Sequence, residues 1–405
     1  MPFAIALSGL NAASSDLEVT ANNVANVNTN GFKMSRAQFA EVFAVGTQSV
    51  GSSAAGSGVR LSAVSQQFTQ GNIDFTDNAL DLAIGGEGFF VLSDNGARSY
   101  SRAGAFGVDN TGYVVNAQGQ RLQAYPFAGN GLFNTGTPQD LQLVTGANPP
   151  AATTTATYGI NLPANAPVPI NPVFDPADPS SFNHTTSVTV YDSLGAAHNA
   201  TVYFIKDAVV NTWNTQVEIE GNPVAGAVPI VFAPDGSLQT PLGGVMPLAP
   251  YNPGTGAADI AMSLNFATAT QFGNAFGVNS LSQDGFTTGR LTGVSVDTEG
   301  IVFARFTNGQ STSLGKLALA NFVNPQGLQQ LGDTTWGESF QSGDALLGEA
   351  GTASFGNIQS GALESSNVDL TAQLVQMITA QRNFQANAQM ISTADTVTQT
   401  VINIR

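Results

Sequence analysis

The feature that most constrains the fold of this chain is a pair of apolar stripes with a helical period, one at each end. Near the start, apolar side chains recur every seven residues from Phe3 to Val24, and residues 362–405 contain neither Gly nor Pro. This spacing is typical of helices that pack along a seam. We therefore predict helices over residues 1–28 and 364–405 that pair in a coiled-coil-like inner layer.

The ends of both helices carry residues suited to starting or stopping a helix. Pro2 fits a first helical turn, and Ser366 with Asp369 resembles a capping pair. Five asparagines between residues 22 and 30 weaken the first helix. Gly31 can adopt the left-handed conformation that ends one. The first helix is thus expected to run into an Asn-rich turn.

Burial within a single chain does not by itself fix two such long helices. Each large stripe residue contributes about 1.5 to 3 kcal/mol on burial, whereas every ordered residue costs roughly 1 to 2 kcal/mol of backbone entropy. We predict that both ends are mobile in a free monomer and become fixed when neighbouring copies cover them; a helical pair packed only within the chain is the alternative. The predicted subunit-interface residues are Phe3, Leu7, Leu10, Leu17, Val24, Asn22, Asn23, Asn26, Gly31, Phe32, Leu370, Leu374, Met377, Phe384, Ile391, Val397, Val401 and Ile404.

Between the helices, the composition favours short strands and turns. Only 10% of the residues are charged, and 44 are Gly. Turn sequences such as residues 109–112 and 297–300 separate runs rich in Val, Phe, Tyr and Ile, and the clearest hairpin joins 187–191 to 200–206. The predicted fold class is mainly β with α-helical termini, and the body consists of antiparallel sandwich or barrel domains.

Predicted domain boundaries divide the body into segments that are discontinuous in sequence. An inserted outer β domain at 146–286 interrupts a second β domain, and a linker or hinge connects that domain to the terminal helices. The interrupted domain comprises 71–145 and 287–354, and the linker comprises 29–70 and 355–363.

Two stretches of biased composition lie beside these boundaries. Residues 46–58 are rich in Gly and Ser, which is typical of a hinge or of a disordered loop, and the composition does not distinguish the two. The Pro-rich residues 149–179 indicate a boundary or an extended loop.

Charge and cysteine content exclude several functions. The formal net charge is −16, and between Leu122 and Gly289 the only cation is Lys206, so nucleic acid is not an expected partner. The chain has no Cys, which excludes disulfides and thiol chemistry. Residues 1–32 lack Lys, Arg and a long apolar run, and no segment approaches the length of a membrane span. We expect no membrane insertion and no cleaved signal peptide.

Patterns that indicate catalysis are weak in this sequence. Gly85-Gly86-Glu87-Gly88 lacks the Gly-Lys-Ser/Thr ending of a phosphate loop and is interpreted as a tight turn. His184 and His198 are the only histidines, and their spacing fits neither a zinc site nor a catalytic triad, so we interpret them as loop residues. We predict no catalytic residue, no cofactor and no metal site, and therefore no enzymatic activity.

Several motifs give the chain a recognisable family resemblance. The N-terminal and C-terminal segments are similar to the paired signatures of the bacterial flagellar rod and hook proteins, and the resemblance extends into the flanking body. The matching segments are residues 8–13, the Asn-Asn-x-Ala-Asn stretch at 22–26, Gly31-Phe32-Lys33, 80–84, 88–90, Tyr100-Ser101-Arg102, 317–324, 327–328, 361–370 and 377–385.

The resemblance implies a structural protein of the flagellum. The length and the insertion at 146–286 favour the hook branch over the shorter rod members. The implied function is a self-assembling subunit of a flexible curved tube that couples rod to filament and transmits torque for swimming. The implied partners are many copies of the same chain, the rod, a hook-filament junction protein, a hook cap protein and the flagellar type III export apparatus.

Two alternatives to this function are kept open by the sequence. A distal rod subunit of the basal body would form a straight tube rather than a curved one. A secreted β-rich adhesin would use the acidic, Gly-rich middle as its binding surface, but it would leave both helical signatures without a role. The implied location is extracellular, in the flagellum.

Overall fold

A computed structural model describes residues 2–42, 56–143, 146–352 and 354–403. The chain forms two compact units. Unit 1 comprises Met1–Thr145, Gly293–Arg305 and Ser311–Arg405, and unit 2 comprises Gly146–Thr292 and Phe306–Gln310. Most of the predicted Gly/Ser-rich segment 46–58 lies outside the described residues.

The elements follow one another as a helix, a long series of short strands and a second helix. The first are α1 (Pro2–Ala25), β1 (Ser35–Glu41), β2 (Val59–Gln66), β3 (Ile73–Phe75), β4 (Leu82–Gly85), β5 (Phe89–Asp94), β6 (Ala97–Ser101), β7 (Gly107–Val108), β8 (Val114–Val115), β9 (Arg121–Gly129), β10 (Leu132–Phe133) and β11 (Gln139–Asp140). The middle elements are β12 (Thr155–Pro163), β13 (His184–Tyr191), β14 (Ala197–Lys206), β15 (Thr212–Ile219), β16 (Asn222–Phe232), β17 (Leu238–Thr240), the 3-10 helix Leu242–Gly244, β18 (Val245–Pro247), β19 (Ser263–Asn265), β20 (Thr270–Phe272) and β21 (Gly277–Gln283). The last are β22 (Leu291–Val296), β23 (Ile301–Phe306), β24 (Ser311–Asn321), the 3-10 helix Pro325–Gly327, β25 (Gln329–Gly332), β26 (Thr335–Gly337), β27 (Leu346–Glu349), β28 (Asn357–Ser360), β29 (Ala362–Glu364) and α2 (Leu370–Asn403).

A large sheet in the order β22-β23-β24-β9-β5-β6-β26-β25 organises the body of unit 1. Successive side chains of a strand point to opposite faces. In β5, Phe90 and Leu92 enter one apolar core, whereas Phe89 and Val91 enter another with Trp336. The sheet is therefore buried on both faces, which explains the continuous apolar run at its centre.

Two short antiparallel pairs connect the last strands of unit 1 to its first ones. β28 pairs with β4, and β29 pairs with β3. These pairs place the C-terminal segment that precedes α2 beside the segment that follows α1 and β2. These strand pairs therefore bring the part of the chain that follows α1 next to the part that precedes α2.

Unit 2 is a β sandwich around a single apolar core. One sheet has the order β18-β19-β12-β20 with β21 on β12, and the other is the meander β13-β14-β15-β16-β17. Tyr158 and Ile160 of the first sheet share a core cluster with Phe204 and Trp213 of the second. Side chains from the two inner faces thus form one core, as expected for packed sheets.

The predicted fold class is confirmed, with one local difference in strand direction. β14 alternates buried and more exposed residues along its length, and it pairs antiparallel with β13 in the predicted hairpin. However, β12 pairs parallel with β19 and β20, so the prediction of antiparallel pairing throughout the body is wrong at this strand. Its pattern of consecutive buried residues from Tyr158 to Pro163 reflects this central position.

The predicted turns share one local geometry. In the turn after Asp109, one carboxylate oxygen accepts hydrogen bonds from the backbone N–H groups of Thr111 and Tyr113, and Gly112 takes a positive φ. The turn after Asp297 repeats the arrangement. The Asx side chain replaces missing backbone partners, and glycine adopts the left-handed backbone at little steric cost.

The start of α2 differs from its prediction. α2 begins at Leu370 because the carboxylate of Asp369 accepts hydrogen bonds from the N–H groups of Thr371 and Ala372 at 2.8 and 3.1 Å. The Ser366 hydroxyl instead accepts from Val368 N–H at 3.3 Å. The prediction that Ser366 and Asp369 act as a reciprocal pair is therefore wrong, and Asp369 alone is the N-cap.

The glycine-rich stretch at 85–88 and the two histidines lie within or next to strands of the β body. Gly85 ends β4, and residues 86–88 form a bend that leads into β5 rather than the predicted tight turn. Both histidines lie on strands rather than loops: His184 stacks on the Phe276 ring at 4.4 Å, and His198 Nε2 lies 3.2 Å from the Asp192 carboxylate. Across the described ranges, no group of three or more metal-ligating side chains occurs, and no described helix is long and apolar enough to cross a membrane.

Candidate functional site: the terminal helices and the junction at their base

The two terminal helices pack against each other in antiparallel fashion within one chain. Near the end of α1, the Asn23 side-chain amide donates to Gln373 Oε1 at 3.1 Å. Near its start, a Cβ added to Gly9 would lie 2.6 Å from the side-chain oxygen of Asn387. The chain therefore contains the predicted helical pair, and glycine permits its close approach.

Small and polar residues form the seam between these helices. Ala6, Ala13 and Thr20 are 2%, 7% and 1% exposed and recur every seven residues along α1. On α2, Gln373 and Ala380 are buried in the same way. The predicted seven-residue period is present, but the buried series of α1 begins at Ala6, one residue before the predicted Leu7. Leu7 consequently stays exposed, whereas Phe3 lines an open cleft with Ala388 and Ile391 of α2.

The large predicted stripe residues remain accessible in the single chain. Phe3 and Leu7 on α1 are 54% and 42% exposed, and Leu374 and Val397 on α2 are 44% and 57% exposed. Leu370 and Phe384 are also exposed, whereas Leu10, Leu17, Val24, Met377 and Ile391 are half-buried. We call these eleven residues the terminal-helix surface: Phe3, Leu7, Leu10, Leu17, Val24, Leu370, Leu374, Met377, Phe384, Ile391 and Val397.

Some residues of this region fall outside the predicted set or the described residues. Ile5, Val375, Ile378, Met390 and Ile402 are likewise exposed, and strict heptad counting missed them. A straight helix has 3.6 residues per turn, so a seven-residue count drifts around its surface. The predicted Ile404 lies outside the described residues, as does the side chain of Val401.

The asparagines predicted as interface residues have different roles. Asn23 is 2% exposed; its side-chain oxygen accepts from Ser35 N–H, and its amide donates to Ser35 C=O, both at 2.8 Å. Asn26 bonds back to the Asn22 carbonyl, and Asn22 is exposed. Asn23 therefore connects α1, α2 and the start of β1 within the chain, whereas the exposed Asn22 side chain accepts only a long hydrogen bond of 3.5 Å from Asn26 among the side-chain contacts described.

Gly31 is required by backbone geometry at the base of the helices. Its φ is +70°, and an added Cβ would lie 2.4 Å from the backbone nitrogen of Ala103. Its N–H donates to the Glu364 carbonyl at 2.7 Å. The neighbouring Phe32 is half-buried and lines a cavity of about 430 Å³ with Trp336. Gly31 therefore serves an intramolecular contact, and its role between copies stays a prediction.

A buried ionic cluster lies next to Gly31. The Lys33 ammonium donates to one Glu364 carboxylate oxygen at 2.6 Å, and the Arg102 guanidinium donates to the other at 3.3 Å. Lys33 and Glu364 are 0% exposed, and Arg102 is 5% exposed. We call Gly31, Lys33, Arg102 and Glu364 the junction. It joins the segment after α1, the body after β6 and the strand before α2.

Further hydrogen bonds satisfy most polar groups of the junction. Lys33 also donates to the Thr69 carbonyl at 2.8 Å, Arg102 to the Gly86 carbonyl at 2.8 Å, and Gly71 N–H to Glu364 at 2.9 Å. Burial lowers the pKa of both the Lys33 ammonium and the Arg102 guanidinium, while the Glu364 carboxylate opposes each shift. Two cations thus depend on one carboxylate in a site that excludes water.

Asn367 provides a second connection between the chain ends. Its side-chain oxygen accepts from Met34 N–H at 2.7 Å, and its amide donates to the Gln67 carbonyl at 2.7 Å. Asn367 lies in the C-terminal signature and Met34 directly after the N-terminal one. The two signatures are therefore joined by the structure as well as paired in the sequence.

The ionic cluster was missed by the sequence analysis although its members lie in quoted motifs. Lys33 and Glu364 are 331 residues apart, so local spacing could not pair them. The scarcity of charge could have revealed the cluster. Only 10% of the residues are charged, yet the motifs that contain Lys33, Arg102 and Glu364 each carry a charge. Charged residues are rarely buried unless they are paired.

Family models match both ends and the body of the chain. The flagella basal body rod protein model matches residues 3–33, and the flagellar hook protein FlgE/F/G D1 domain model matches 83–171. The flagellar basal body protein FlaE D2 domain model matches 161–286, and the flagellar basal body rod FlgEFG protein C-terminal model matches 359–404. The first and last of these models contain the helices and the junction residues Gly31, Lys33 and Glu364.

Full-length relatives show the same similarity. The flagellar hook protein FlgE of Salmonella typhimurium is 40% identical over 100% of both chains, as is that of Escherichia coli strain K12. The Borreliella burgdorferi flagellar hook protein FlgE is 32% identical over 98% of both chains. The crystal structure of Helicobacter pylori flagellar hook protein FlgE2 has a TM-score of 0.54 and 14% identity, covering 72% of this chain and 100% of that chain. At that identity the structural likeness concerns the fold alone.

Proposed function

Because this chain belongs to the flagellar hook protein family, we propose that its terminal-helix surface is the contact through which neighbouring copies polymerise. The chain is a structural subunit of the flagellar hook and serves motility. This identity replaces the alternatives of a distal rod subunit and an adhesin. What remains to be proposed is which residues make the polymer and how.

One observation carries this proposal. Within one chain, small residues such as Ala13 and Ala380 form the seam, while large apolar residues such as Phe3 and Leu374 stay exposed. Large contiguous apolar surfaces on a soluble protein indicate an interaction site. A contact between different surfaces of identical subunits generates a helical fibre when its rotation does not close a ring. The terminal helices would form the inner layer of such a tube.

Mobility of the free ends follows from the same balance. A seam of small residues buries little apolar area per residue, and burial is what offsets the entropy of ordering a helix. The terminal helices are therefore proposed to fray in the monomer and to become rigid in the polymer, when other copies cover Phe3, Leu374 and their neighbours.

The junction supports a mechanical role for the segments at the base of the helices. We assign residues 29–70 and 355–363 as the joint between the helical pair and the β domain formed by 71–145 and 287–354, and residues 146–286 as a separate β domain. Small sliding of contacts outside the inner layer would let a curved tube bend while it rotates and transmits torque.

The remaining partners are proposed from family membership. The hook would connect to the rod on one side and to a hook-filament junction protein on the other, and it would assemble under a cap protein. Subunits would reach the outside through the flagellar type III export apparatus without a cleaved signal peptide. The role is structural rather than enzymatic.

Substitution of the exposed stripe tests the proposed interface directly. Leu370, Leu374, Phe384 and Val397 are all exposed, so replacing them together with Ser should change the stability of the monomeric β body by less than about 1 kcal/mol. The critical concentration for polymerisation should rise by about tenfold or more, since each buried apolar side chain contributes about 1.5 kcal/mol or more. Sedimentation gives the critical concentration, and electron microscopy gives the shape of the polymer.

A matched control uses four exposed apolar residues of unit 2. Val168, Ile170, Val173 and Val210 are 54% to 92% exposed, whereas the four helix residues are 37% to 57% exposed. Their replacement with Ser should change the critical concentration much less. Wild-type polymerisation by the helix variant, with curved tubes of normal appearance, would contradict the assignment of the terminal-helix surface.

A further inference from the structure

We propose that the Asn130-Gly131 pair is a modification site at which the folded chain deamidates spontaneously, converting Asn130 to aspartate or isoaspartate. The chain contains four Asn-Gly pairs, at residues 30–31, 95–96, 130–131 and 308–309. Three of them are held by hydrogen bonds that oppose the reaction, and the pair at 130–131 is not. The reaction takes place within one chain and does not depend on polymerisation.

The reaction needs only the two residues and water. Once hydroxide has removed the proton of the Gly131 amide, the nitrogen of this amide attacks Cγ of the Asn130 side chain. A bond forms between this nitrogen and Cγ, the bond from Cγ to Nδ2 breaks, and Nδ2 takes up a proton from water and leaves as ammonia. Water then opens the five-membered succinimide ring at either carbonyl carbon, which gives aspartate or isoaspartate. Glycine favours the attack because it has no Cβ beside the nitrogen and permits wide backbone rotation.

The structure leaves both reacting groups of this pair accessible. Asn130 and Gly131 form the turn between β9 and β10, with φ of +52° and +75°, and both residues are exposed. In the part of the chain that the structure describes, neither the Asn130 side chain nor the Gly131 N–H has a hydrogen-bond partner. A Cβ added to Gly131 would meet nothing within 4 Å. Solvent therefore reaches the nucleophile and the leaving group alike.

The hairpin that carries this turn is weakly held at its tip. Closing the five-membered ring rotates the Asn130 backbone out of the turn, so the rate depends on how often the tip opens. β10 consists of two residues, and its register with β9 shifts between Leu132 and Phe133. Leu132 is 68% exposed. Short strands with few buried contacts open locally at little cost in free energy.

The pair at 95–96 is the nearest comparison, because it also forms a two-residue hairpin turn, between β5 and β6. The Asn95 amide donates to the Asp94 carboxylate at 2.9 Å, and Gly96 N–H donates to Ser93 Oγ at 3.3 Å. The flanking strands are paired over five residues on each side. The attacking nitrogen is thus engaged and the tip opens less often, so Asn95 should react more slowly than Asn130.

The other two pairs are held more firmly. The Asn308 amide donates to the Thr287 carbonyl at 2.8 Å, and Gly309 N–H donates to a backbone carbonyl at 3.1 Å. At the junction, Gly31 N–H donates to the Glu364 carbonyl at 2.7 Å. Both attacking nitrogens therefore take part in hydrogen bonds that ring closure would break. The four pairs share one sequence motif and differ in these restraints.

The product changes both the charge and the length of the turn. Aspartate adds a negative charge to a chain whose net charge is already −16. Isoaspartate places one additional carbon in the backbone, which a two-residue turn between paired strands does not accommodate. The contact between the Phe127 and Phe133 rings, whose centroids lie 5.6 Å apart, should then be lost. Each chain reacts once at this site, so the modified fraction records the age of the protein.

Peptide mapping of the folded, full-length chain tests this site. The monomer is incubated at mildly alkaline pH, digested with chymotrypsin and analysed by mass spectrometry for the mass gain that accompanies replacement of an amide by a carboxyl group. Asn130 should deamidate about tenfold faster than Asn308 and Asn30, and about threefold faster than Asn95. In urea, where these restraints are absent, the four rates should agree within about threefold. A rate at Asn130 no faster than that at Asn308 would overturn the proposal, as would the same tenfold excess in urea.

Two variants separate the hydrogen-bond restraint from the sequence motif. Ser93→Ala removes the acceptor of Gly96 N–H, so Asn95 should deamidate about threefold faster while the rate at Asn130 stays unchanged. Asn130→Gln should abolish the mass gain at this turn, because the longer side chain would have to close a six-membered ring. An unchanged Asn95 rate in Ser93→Ala would show that the hydrogen bond gives no protection and would contradict the explanation. A persistent mass gain in Asn130→Gln would overturn the assignment to Asn130.

Discussion

The junction and the terminal-helix surface treat polar and apolar groups in opposite ways. At the junction, Lys33, Arg102 and Glu364 are buried and bonded to one another. On the helices, Phe3 and Leu374 are exposed. Buried charges require partners, and the junction finds them within the chain. Exposed apolar side chains indicate an interaction surface, and we propose that another copy of the chain covers this one. The charges of the junction are thus paired within one chain, whereas the terminal-helix surface is proposed to be covered only in the polymer.

The largest expected effect is at the centre of the junction. Glu364→Gln would leave two buried cations without their carboxylate, and we expect a loss of about 3 to 5 kcal/mol in the free energy of unfolding. Denaturant unfolding of the monomer measures it. The control is Glu349→Gln, whose partner Lys316 and own side chain are more exposed at 11% and 29%; a loss of about 1 kcal/mol or less is expected there. Equal losses of unfolding free energy in the two variants would show that the buried junction contributes no more to stability than the more exposed Lys316–Glu349 pair.

Gly31→Ala should have the next largest effect. The substitution places a side chain at φ +70° and 2.4 Å from the Ala103 backbone nitrogen. We expect a loss of about 3 kcal/mol from left-handed strain and overpacking together. Gly119→Ala is the control, because Gly119 has a φ of +82° with nothing within 4 Å of an added Cβ. The difference between the two unfolding free energies isolates the clash, and no difference would show that the close approach does not matter.

Asn23→Ala tests the residue that connects the helical pair to the start of β1. Asn23 makes three side-chain hydrogen bonds, to Ser35 N–H, Ser35 C=O and Gln373. Its loss leaves buried polar groups without partners, so about 2 kcal/mol of stability should disappear. Asn22→Ala, at an exposed neighbour on the same helix, should change stability by less than about 0.5 kcal/mol. If both variants unfold alike, Asn23 is not the intramolecular connection described here.

The smallest effect is expected on the helices and depends on which way a side chain faces. Ala380→Leu enlarges a residue that is 1% exposed in the seam, and it should cost about 1 to 2 kcal/mol. Leu374→Ala removes the same atoms from a residue that is 44% exposed, and the monomer should lose less than about 0.5 kcal/mol. Both residue types are strong helix formers, so propensity cancels. A larger loss for Leu374→Ala would place that residue in the intramolecular core.

Much of the fold could be predicted because its signals are local. The hairpin of β13 and β14 follows from alternation around a turn sequence, and the turns after Asp109 and Asp297 follow from Asx and Gly at fixed spacing. The capping of α2 was less accessible. Ser366 and Asp369 both suit an N-cap, and only the actual path of the backbone selects Asp369.

What the sequence determined by itself is the period of the helices, the β character of the body and the family signatures, since each depends on residues close together in the chain. Only the tertiary structure decided which helix residues face the seam, because a shift of one position in a seven-residue repeat leaves the pattern unchanged but turns Ala13 inward and Leu7 outward. It also decided the junction, where a lysine and a glutamate 331 residues apart meet through strand pairing that no local pattern specifies.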